Sequence, residues 1–467
     1  MRVKTLFVKP PSKFFLIRSL YSSIVFLVAA STHTNAAPAS TARPNVIFIL
    51  ADDLGYGDLG CFGQKLIQTP NVDRLAKEGM RFTQAYAGAT VCAPSRCSLM
   101  TGKHNGHAAI RGNREIKPEG QEPMPADTFT VAHLMKQAGY ATGLIGKWGL
   151  GHPGSASTPD KMGFDYFFGY NCQSKAHEYY PEYLWRNNDK VMLNGQKYSH
   201  DLMADDALDF LRRNKEQQFF LYLAFTIPHS KLQVPDLGPY EKESWPDNLK
   251  KLAAMITRLD RDVGRLMSLL KELNLDERTL IFFASDNGAA YNDKVFDHSG
   301  PLRGRKRDMY EGGLRSPSIA RWPGKIKEGV VSEQVWAFWD FLPTMAELTE
   351  QKNPPGINGI SILPALLRKK KIEHPPLYFE FHERGFEQAA RVGNWKAVRH
   401  GSKQPIELYD LKTDPAEAHD IAAQHPDMVK RFENYLKTAR TDSKTWPIRD
   451  GSERPAAKKK SKAAKEP

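Results

Sequence analysis

Four apolar runs in this 467-residue chain each end in a residue able to do chemistry. Asp52-Asp53 follows run 46–50, Lys147 follows 141–145, Pro228-His229 follows 219–225, and Asp286-Asn287 follows 280–284. Three carboxylates brought to one point repel each other unless a divalent cation lies among them. Oxygen donors without imidazole or thiolate suit Ca²⁺ or Mg²⁺ better than zinc. Taken singly, each acid reads equally well as a loop or helix-cap aspartate. Their recurrence after two separate runs is what points to a cation. Elsewhere stands Thr90-Val91-Cys92-Ala93-Pro94-Ser95-Arg96-Cys97, closed by Thr101-Gly102. Pro94 suits the first turn of a helix through 96–100, whose free backbone N–H groups would favour an anion near Cys92. A lone cysteine is ordinarily a small buried apolar residue. An arginine one turn beyond sets Cys92 apart.

The elements that must position these residues are legible in the apolar pattern. The four runs lack period-2 alternation, as strands covered on both faces do. Stretches of helical length lie at 71–79, 127–138, 200–213 and 249–273. This alternation predicts an α/β fold: a large, mostly parallel (mixed) sheet sandwiched by helices. Ligands of such sheets bind beyond the carboxyl ends of the strands, and every chemical candidate after a run falls there. The later pattern differs. Short runs at 376–381, 388–392, 395–399 and 407–409, then a helical stretch at 426–440, predict a smaller C-terminal α+β subdomain with a short antiparallel sheet. The expected organisation is therefore a signal peptide at 1–37, a catalytic α/β domain at 44–360, the subdomain at 361–445 and a disordered basic tail at 446–467.

The ends of the chain distort its composition. Arg2, Lys4, Lys9, Lys13 and Arg18 precede the apolar run 24–30 and the small residues 34–37, the order of a secretory signal peptide. That run is too short to span a bilayer permanently, so the expectation is an exported protein, periplasmic or secreted. The formal charge of +13 shrinks to about +4 once the five basic residues of 1–37 and the net +4 of 451–467 are set aside. That is too little to indicate a nucleic-acid partner. Four cysteines allow at most two disulfides, and at most one if Cys92 is chemically altered.

The segment Cys92-Ala93-Pro94-Ser95-Arg96 with Thr101-Gly102 resembles the modification signature of the type I (formylglycine-dependent) sulfatases of the alkaline phosphatase superfamily, the arylsulfatase and polysaccharide sulfatase group. The resemblance spans roughly residues 44–440. It implies that Cys92 is oxidised to formylglycine by a generating enzyme, and that the hydrated aldehyde attacks the sulfur of a sulfate ester. It implies that Asp52, Asp53, Asp286 and Asn287 hold one Ca²⁺ per chain. Arg96 would steady the modified residue, Lys147 (in Gly146-Lys147-Trp148-Gly149) and Lys306 (in Gly304-Arg305-Lys306-Arg307) would grip sulfate oxygens, and His229 would protonate the leaving alcohol. One position departs from the pattern: the family carries histidine two residues after the first lysine, and this chain has Gly149. His104, His107, His152 and His177 are the candidates to replace it.

The substrate expected is a sulfated carbohydrate of galactose or hexosamine type, ahead of a small aryl sulfate. Segment 171–186 is dense in aromatic and polar residues, and reads either as a sugar-stacking surface or as a small aromatic core under a loop. His177, Asp297, His298, Arg303 and His382 are the candidate substrate contacts. Two rival readings stand: a phosphonate or phosphodiester hydrolase on the same fold, and an exported carbohydrate-binding relative impaired in catalysis.

Overall fold

The computed structural model describes residues 43–450, so the expected signal peptide and residues 451–467 lie outside it. In chain order its strands are β1 (Asn45–Ala51), β2 (Met80–Phe82), β3 (Ala85–Tyr86), β4 (Ala141–Lys147), β5 (Tyr166–Tyr170), β6 (Tyr183–Arg186), β7 (Asp189–Met192) and β8 (Phe219–Ala224). They continue with β9 (Thr279–Ser285), β10 (Ser318–Arg321), β11 (Val330–Ser332), β12 (Trp336–Ala337), β13 (Leu377–Phe381), β14 (Glu387–Val392), β15 (Trp395–Arg399) and β16 (Ile406–Asp410). Ten of these form one sheet in the order β11-β2-β10-β9-β1-β8-β4-β5-β6-β7. The central five, β9-β1-β8-β4-β5, are parallel, and antiparallel strands extend both edges. The four runs read as buried strands are thus immediate neighbours.

Burial on both faces explains why β1 shows no alternation. Ile47 and Ile49 enter one core while Val46, Phe48 and Leu50 enter the other, and every residue of the strand is buried. The helices are α1 (Pro70–Lys77), α2 (Cys92–Thr101), α3 (Val131–Gln137), α4 (Ser199–Arg213), α5 (Asp247–Glu272), α6 (Glu311–Leu314), α7 (Phe341–Leu348), α8 (Leu363–Leu366) and α9 (Pro426–Thr438). The first face packs under α1, α4 and α5, and the second under α2, α3, α7 and α8. None of the described helices is long and apolar enough to cross a membrane.

Two boundaries differ from the sequence reading for local reasons. Helix α3 starts at Val131 rather than 127 because Thr130 caps it: Thr130 Oγ1 accepts the His133 N–H, and His133 Nδ1 accepts the Thr130 N–H. The tail begins later than 446. Trp446 is buried in the second core with its Nε1 donating to Ala109 O at 3.0 Å, and Asp450 accepts from Ser402. The C-terminal strands form the antiparallel meander β13-β14-β15-β16. One face of it packs Phe379, Phe381, Val398 and Tyr409 against Met309, Leu314 and Trp339 of the main domain, and the other is covered by Phe432 and Leu436 of α9.

The centre of the second core is Phe48, whose ring stacks on Phe282 at 5.8 Å and meets Phe341 edge-on at 4.7 Å. Phe48→Ala is expected to cost about 3–5 kcal/mol, the range for removing a fully packed aromatic ring. Equilibrium urea unfolding of both chains checks this, and a loss below about 1 kcal/mol would mean the core relaxes around the cavity.

Candidate active site

The carboxyl ends of β9, β1, β8 and β4 deliver their residues to one place. Asp52 and Asp53 follow β1 directly, and the backbone N–H of Asp53 donates to Asp286 Oδ1 at 3.2 Å across the β1–β9 pair. Asp53 takes a left-handed backbone (φ 69°), a cost that a non-glycine residue bears only where its surroundings dictate it. Lys147, the last residue of β4, donates from Nζ to Asp52 Oδ2 at 2.6 Å. Arg96 reaches the cluster from α2, donating from Nε and Nη2 to Asp286 Oδ2 at 3.0 and 2.8 Å and from Nη1 to Lys147 O at 3.0 Å.

Helix α2 begins at Cys92 itself, four residues earlier than its sequence suggested, and all ten of its residues are buried. A helix so enclosed needs its polar groups satisfied: Ser95 Oγ accepts from Gly88 N, and Thr101 Oγ1 donates to Cys97 O. Gly88 has to be glycine here, because a Cβ would lie 2.4 Å from Ser98 Cβ. The expectation of free N–H groups for an anion needs correcting at Ala93, whose N–H is taken by Asn113 Oδ1 at 3.0 Å. The Cys92 thiol lies 3.5 Å from Asp52 Oδ1 and 3.5 Å from Lys306 Nζ. Lys306 in turn donates to Asp53 Oδ2 at 2.7 Å and sits 3.3 Å from His229 Nε2. His229 Nε2 lies 3.2 Å from Asp53 Oδ2, and its Nδ1 donates to Ser230 O at 2.6 Å, which fixes the tautomer with Nε2 facing the cluster. The nine residues read as catalytic or metal-binding therefore meet.

The electrostatics follow from burial set against this charge. Burial pushes the Asp52 carboxyl up, but Lys147, His229, Arg96 and Lys306 together outweigh it and hold the group well below the usual carboxylate range. Asp286 goes the other way, to about 6, because burial and the neighbouring Asp52 exceed the pull of Arg96. Burial, then Asp286, drives the Cys92 thiol far above its ordinary value, so by itself it stays protonated and is no nucleophile. Ligand atoms of Asp52, Asp53, Cys92 and His229 all lie within 4.8 Å of one another. Of these donors the two carboxylates are the ones that suit a hard cation. Asn287 supplies the decisive detail: its Nδ2 donates to Asp53 Oδ1 at 2.8 Å, while its buried Oδ1 has no hydrogen-bond partner. A buried carbonyl oxygen without a partner is costly. A hard cation held by Asp52, Asp53, Asp286 and Asn287 would satisfy it.

A cavity of about 570 Å³ opens onto Cys92, Asp53, His229 and Lys306. Of the four histidines considered for the absent imidazole, His177 alone lines it, its ring stacked on His229 at 3.8 Å and 9°. His177 Nε2 is buried without a partner, and burial, then Lys147, lowers the group to about 3, so it is neutral at pH 7. His104 and His107 instead stack on each other beside Tyr378 and Trp339. His152 bonds Pro153 O. Gly149 has φ 70°, and a side chain there would collide with Gln173, whose Nε2 lies 2.5 Å from the would-be Cβ. The remaining aromatic segment is mostly structural. Tyr179 is fully buried with its hydroxyl 2.7 Å from His229 O, and Trp185 donates to Glu119.

The other candidate substrate contacts are not brought to this cavity. Asp297 and His298 line a neighbouring one of about 490 Å³, Arg303 lies over the Tyr310 ring, and His382 bonds Glu380 Oε1 at 3.0 Å inside the meander junction. Sequence reasoning missed Asn113, Glu115, Gln121, Tyr291 and Arg307 on the wall of the catalytic cavity. They lie in loops without periodicity, and only Arg307 adjoined a motif. All four cysteines are free thiols, so the disulfide allowed by their number is not formed.

The family model described as Sulfatase matches residues 44–351, and a second, N-sulphoglucosamine sulphohydrolase, C-terminal, matches 304–442. An N-acetylgalactosamine-6-sulfatase of Sus scrofa is 34% identical over 405 residues, covering 80% of this chain and 74% of the relative. An N-acetylgalactosamine-6-O-sulfatase of Bacteroides thetaiotaomicron is 29% identical, covering 86% and 94%. Among solved structures, Ps i-CgsB in complex with k-i-k-neocarrahexaose superposes with a TM-score of 0.75 at 29% identity, covering 86% of this chain and 96% of that one.

His298 bridges Asp58 Oδ1 and Asp293 Oδ2 (2.7 Å to the latter), and burial notwithstanding, Asp58 first and Asp293 next raise it to about 9. A raised histidine stabilises the fold fully below the unfolded value near 6.5, and that contribution fades as pH climbs through 9. Stability should therefore fall by about 3 kcal/mol between pH 6.5 and 10. His298→Gln should remove most of that slope in urea unfolding followed across pH, and an unchanged slope would assign it to other groups.

Proposed function

The chain belongs to the type I sulfatase family of the alkaline phosphatase superfamily, and on that footing we propose that it is an exported enzyme releasing sulfate from a galactose- or N-acetylhexosamine-type glycan, with Cys92 converted to formylglycine and Ca²⁺ held by Asp52, Asp53, Asp286 and Asn287. As a member of that family it is a sulfuric ester hydrolase. The observation that supports the finer reading is the meeting of residue 92 with both acidic pairs, two lysines and His229 in one cluster, of which residue 92, Asp53, His229 and Lys306 face the cavity. A protonated, buried thiol does no displacement chemistry at sulfur, whereas a hydrated aldehyde at that position offers an oxygen nucleophile. The cation would draw off charge developing on the sulfate oxygens.

The remaining roles fall to side chains whose places are fixed. Lys306 presents its ammonium to residue 92 and Lys147 presents its own to Asp52, the carboxylate beside that residue, and the two would hold the sulfate oxygens. Arg96 binds no substrate in this reading. Its guanidinium locks Asp286 to the Lys147 carbonyl and so keeps the strand ends of β9 and β4 in register with α2. His229 faces the cavity with Nε2, which carries a proton only in the imidazolium form because Nδ1 donates to Ser230 O; burial disfavours that form and Asp53 supports it, and once protonated Nε2 would give the departing sugar oxygen its proton. His177, neutral and stacked on it with an unpartnered Nε2, is suited to bond a sugar hydroxyl. Glu115, Gln121, Gln173 and Ser174 put hydrogen-bonding groups on the wall, which favours a sugar over an aryl group. The charges of Asp52, Asp53 and Asp286 balance those of Arg96, Lys147 and Lys306. A divalent cation would leave +2, the charge that complements a sulfate product.

The printed names of the relatives support the substrate class: two act on N-acetylgalactosamine 6-sulfate, and the solved neighbour binds a carrageenan oligosaccharide. Rates on phosphate or phosphonate esters above those on sulfate esters would favour the phosphonate or phosphodiester hydrolase instead.

Mass spectrometry of the peptide spanning residue 92, from protein produced with a formylglycine-generating enzyme, is expected to show the aldehyde. Cys92→Ala should lower turnover at least about a thousandfold with the unfolding curve unchanged. Chelation should lower activity and Ca²⁺ restore it. A panel of sulfated monosaccharides and 4-nitrophenyl sulfate, assayed for free sulfate, decides the substrate. Turnover of the aryl ester alone would refute the glycan assignment.

A further inference from the structure

Lys306 is the one charged residue of the site that no strand end or long helix holds in place. It rides on the turn 303–311, between β9 and α6, and Arg307 beside it has a left-handed backbone (φ 76°). The turn is fastened to the catalytic region by two backbone bonds, Lys306 N to Ala289 O at 2.9 Å and Arg307 N to Thr90 O at 3.0 Å. Its ends are fastened elsewhere. Arg303 Nη1 donates to Glu417 O at 2.7 Å, and the Glu311 N–H donates to Glu417 Oε2 at 2.6 Å. One residue of the C-terminal segment thus holds both ends of the turn.

We propose that Glu417 is a positioning residue for Lys306, acting from the connection between β16 and α9 by clamping both ends of the turn that carries the lysine. The inference rests on the sulfatase reading of Lys306 as a sulfate-holding group. Three features argue that the clamp serves geometry rather than general stability. Glu417 is fully buried and takes a left-handed backbone (φ 52°), a cost of about 1–3 kcal/mol that a mere packing role does not require. Its carboxylate shares Lys396 Nζ with Glu311, at 2.8 and 2.9 Å, so two acids are buried against one ammonium from β15. Well-packed apolar residues replace such buried ion groups at little or no loss of stability, so their presence here fits a need for defined placement. Finally, the second oxygen of Glu311 is closed off by Arg315 and by Tyr86 OH at 2.7 Å, which leaves the turn a single orientation.

From Glu417 the chain of contacts runs through Glu311 and the turn to Lys306, and then to Asp53 and residue 92. A small shift of the clamp moves Nζ relative to sulfate, and misplacement on the ångström scale costs up to about a hundredfold in rate. The C-terminal segment then serves the catalytic apparatus through one glutamate.

A double-mutant cycle tests this. Glu417→Ala removes the carboxylate, while Arg303→Gln, at an exposed side chain, opens the other end and serves if the first variant fails to fold. Each is measured alone and with Lys306→Met, reading kcat/KM on N-acetylgalactosamine 6-sulfate and the Kd for inorganic sulfate by calorimetry. Expected is a loss of about ten- to a hundredfold in each single variant and less than about twofold when Lys306 is already gone. Glu417→Gln, which keeps an acceptor for the Glu311 N–H, should recover most of the loss. Equal losses in both backgrounds would assign Glu417 to stability alone and overturn the proposal. A wild-type chain that neither binds nor releases sulfate overturns instead the reading on which the proposal stands, and the proposal with it.

Discussion

The structure turns on six buried charges at the mouth of a parallel sheet. Asp52, Asp53 and Asp286 are opposed by Arg96, Lys147 and Lys306, all nearly or wholly without solvent contact. Burying ions costs several kcal/mol each after relaxation, and the attraction between them repays that only with well-placed partners. Here the six come from five elements, β1 (whose end supplies both Asp52 and Asp53), β9, β4, α2 and the 303–311 turn. The cluster therefore exists only if all of these elements are correctly docked. It couples the whole domain to the geometry of one small volume, and one buried amide oxygen in it still lacks a partner.

The scaffold meets that demand by making its site-bearing elements rigid. Five adjacent parallel strands are covered on both faces, so their carboxyl ends cannot shift independently. Helix α2 is enclosed on every side, so residue 92 projects from a fixed frame and not from a loop. The walls above this floor are built otherwise. Residues 113–121, 173–177 and 289–307 belong to connections, the kind of segment that carries recognition on a rigid scaffold.

The floor was legible in the sequence and the walls were not, for a physical reason. Strands buried on both faces announce themselves as unbroken apolar runs, and the residue after each run has to lie on the ligand-binding edge. Asp52, Lys147, His229 and Asp286 were therefore placed by pattern alone. The short strands β2, β10 and β11 span three or four residues and carry too little periodicity to be read. The same holds for Asn113 and Glu115, whose entry into the cavity depends on long-range folding: Asn113 is held by Ala93 and by Glu383, which are remote from each other in the chain. Arg303 and His382 carried charge and stood in suggestive loops, but charge alone does not reveal direction. Both turned toward partners in the meander interface. Gly149 was read as a gap in the chemistry, whereas the structure shows a filled position, with the side chain of Gln173 occupying the volume.

That substitution bears on how the site divides its labour. A left-handed glycine just past the end of β4 lets the chain turn while leaving space for a neighbouring side chain, and the Gln173 amide fills it. Polar groups that a strand end would have held rigidly are thus carried by a connection whose path is set by its own contacts, Tyr179 OH on the His229 loop and Ser174 Oγ on Glu115. The two imidazoles stacked at 3.8 Å then come from different connections yet share one face of the cavity. Burial lowers both rings from the ordinary imidazole range; Lys147 adds to that at His177, whereas Asp53 and then Asp52 oppose it at His229. His229 Nε2 lies 3.2 Å from Asp53 Oδ2, while His177 Nε2 has no partner. A proton taken up by the pair therefore settles on the ring beside the carboxylate and leaves the other to act through hydrogen bonds, the division of labour proposed for this site.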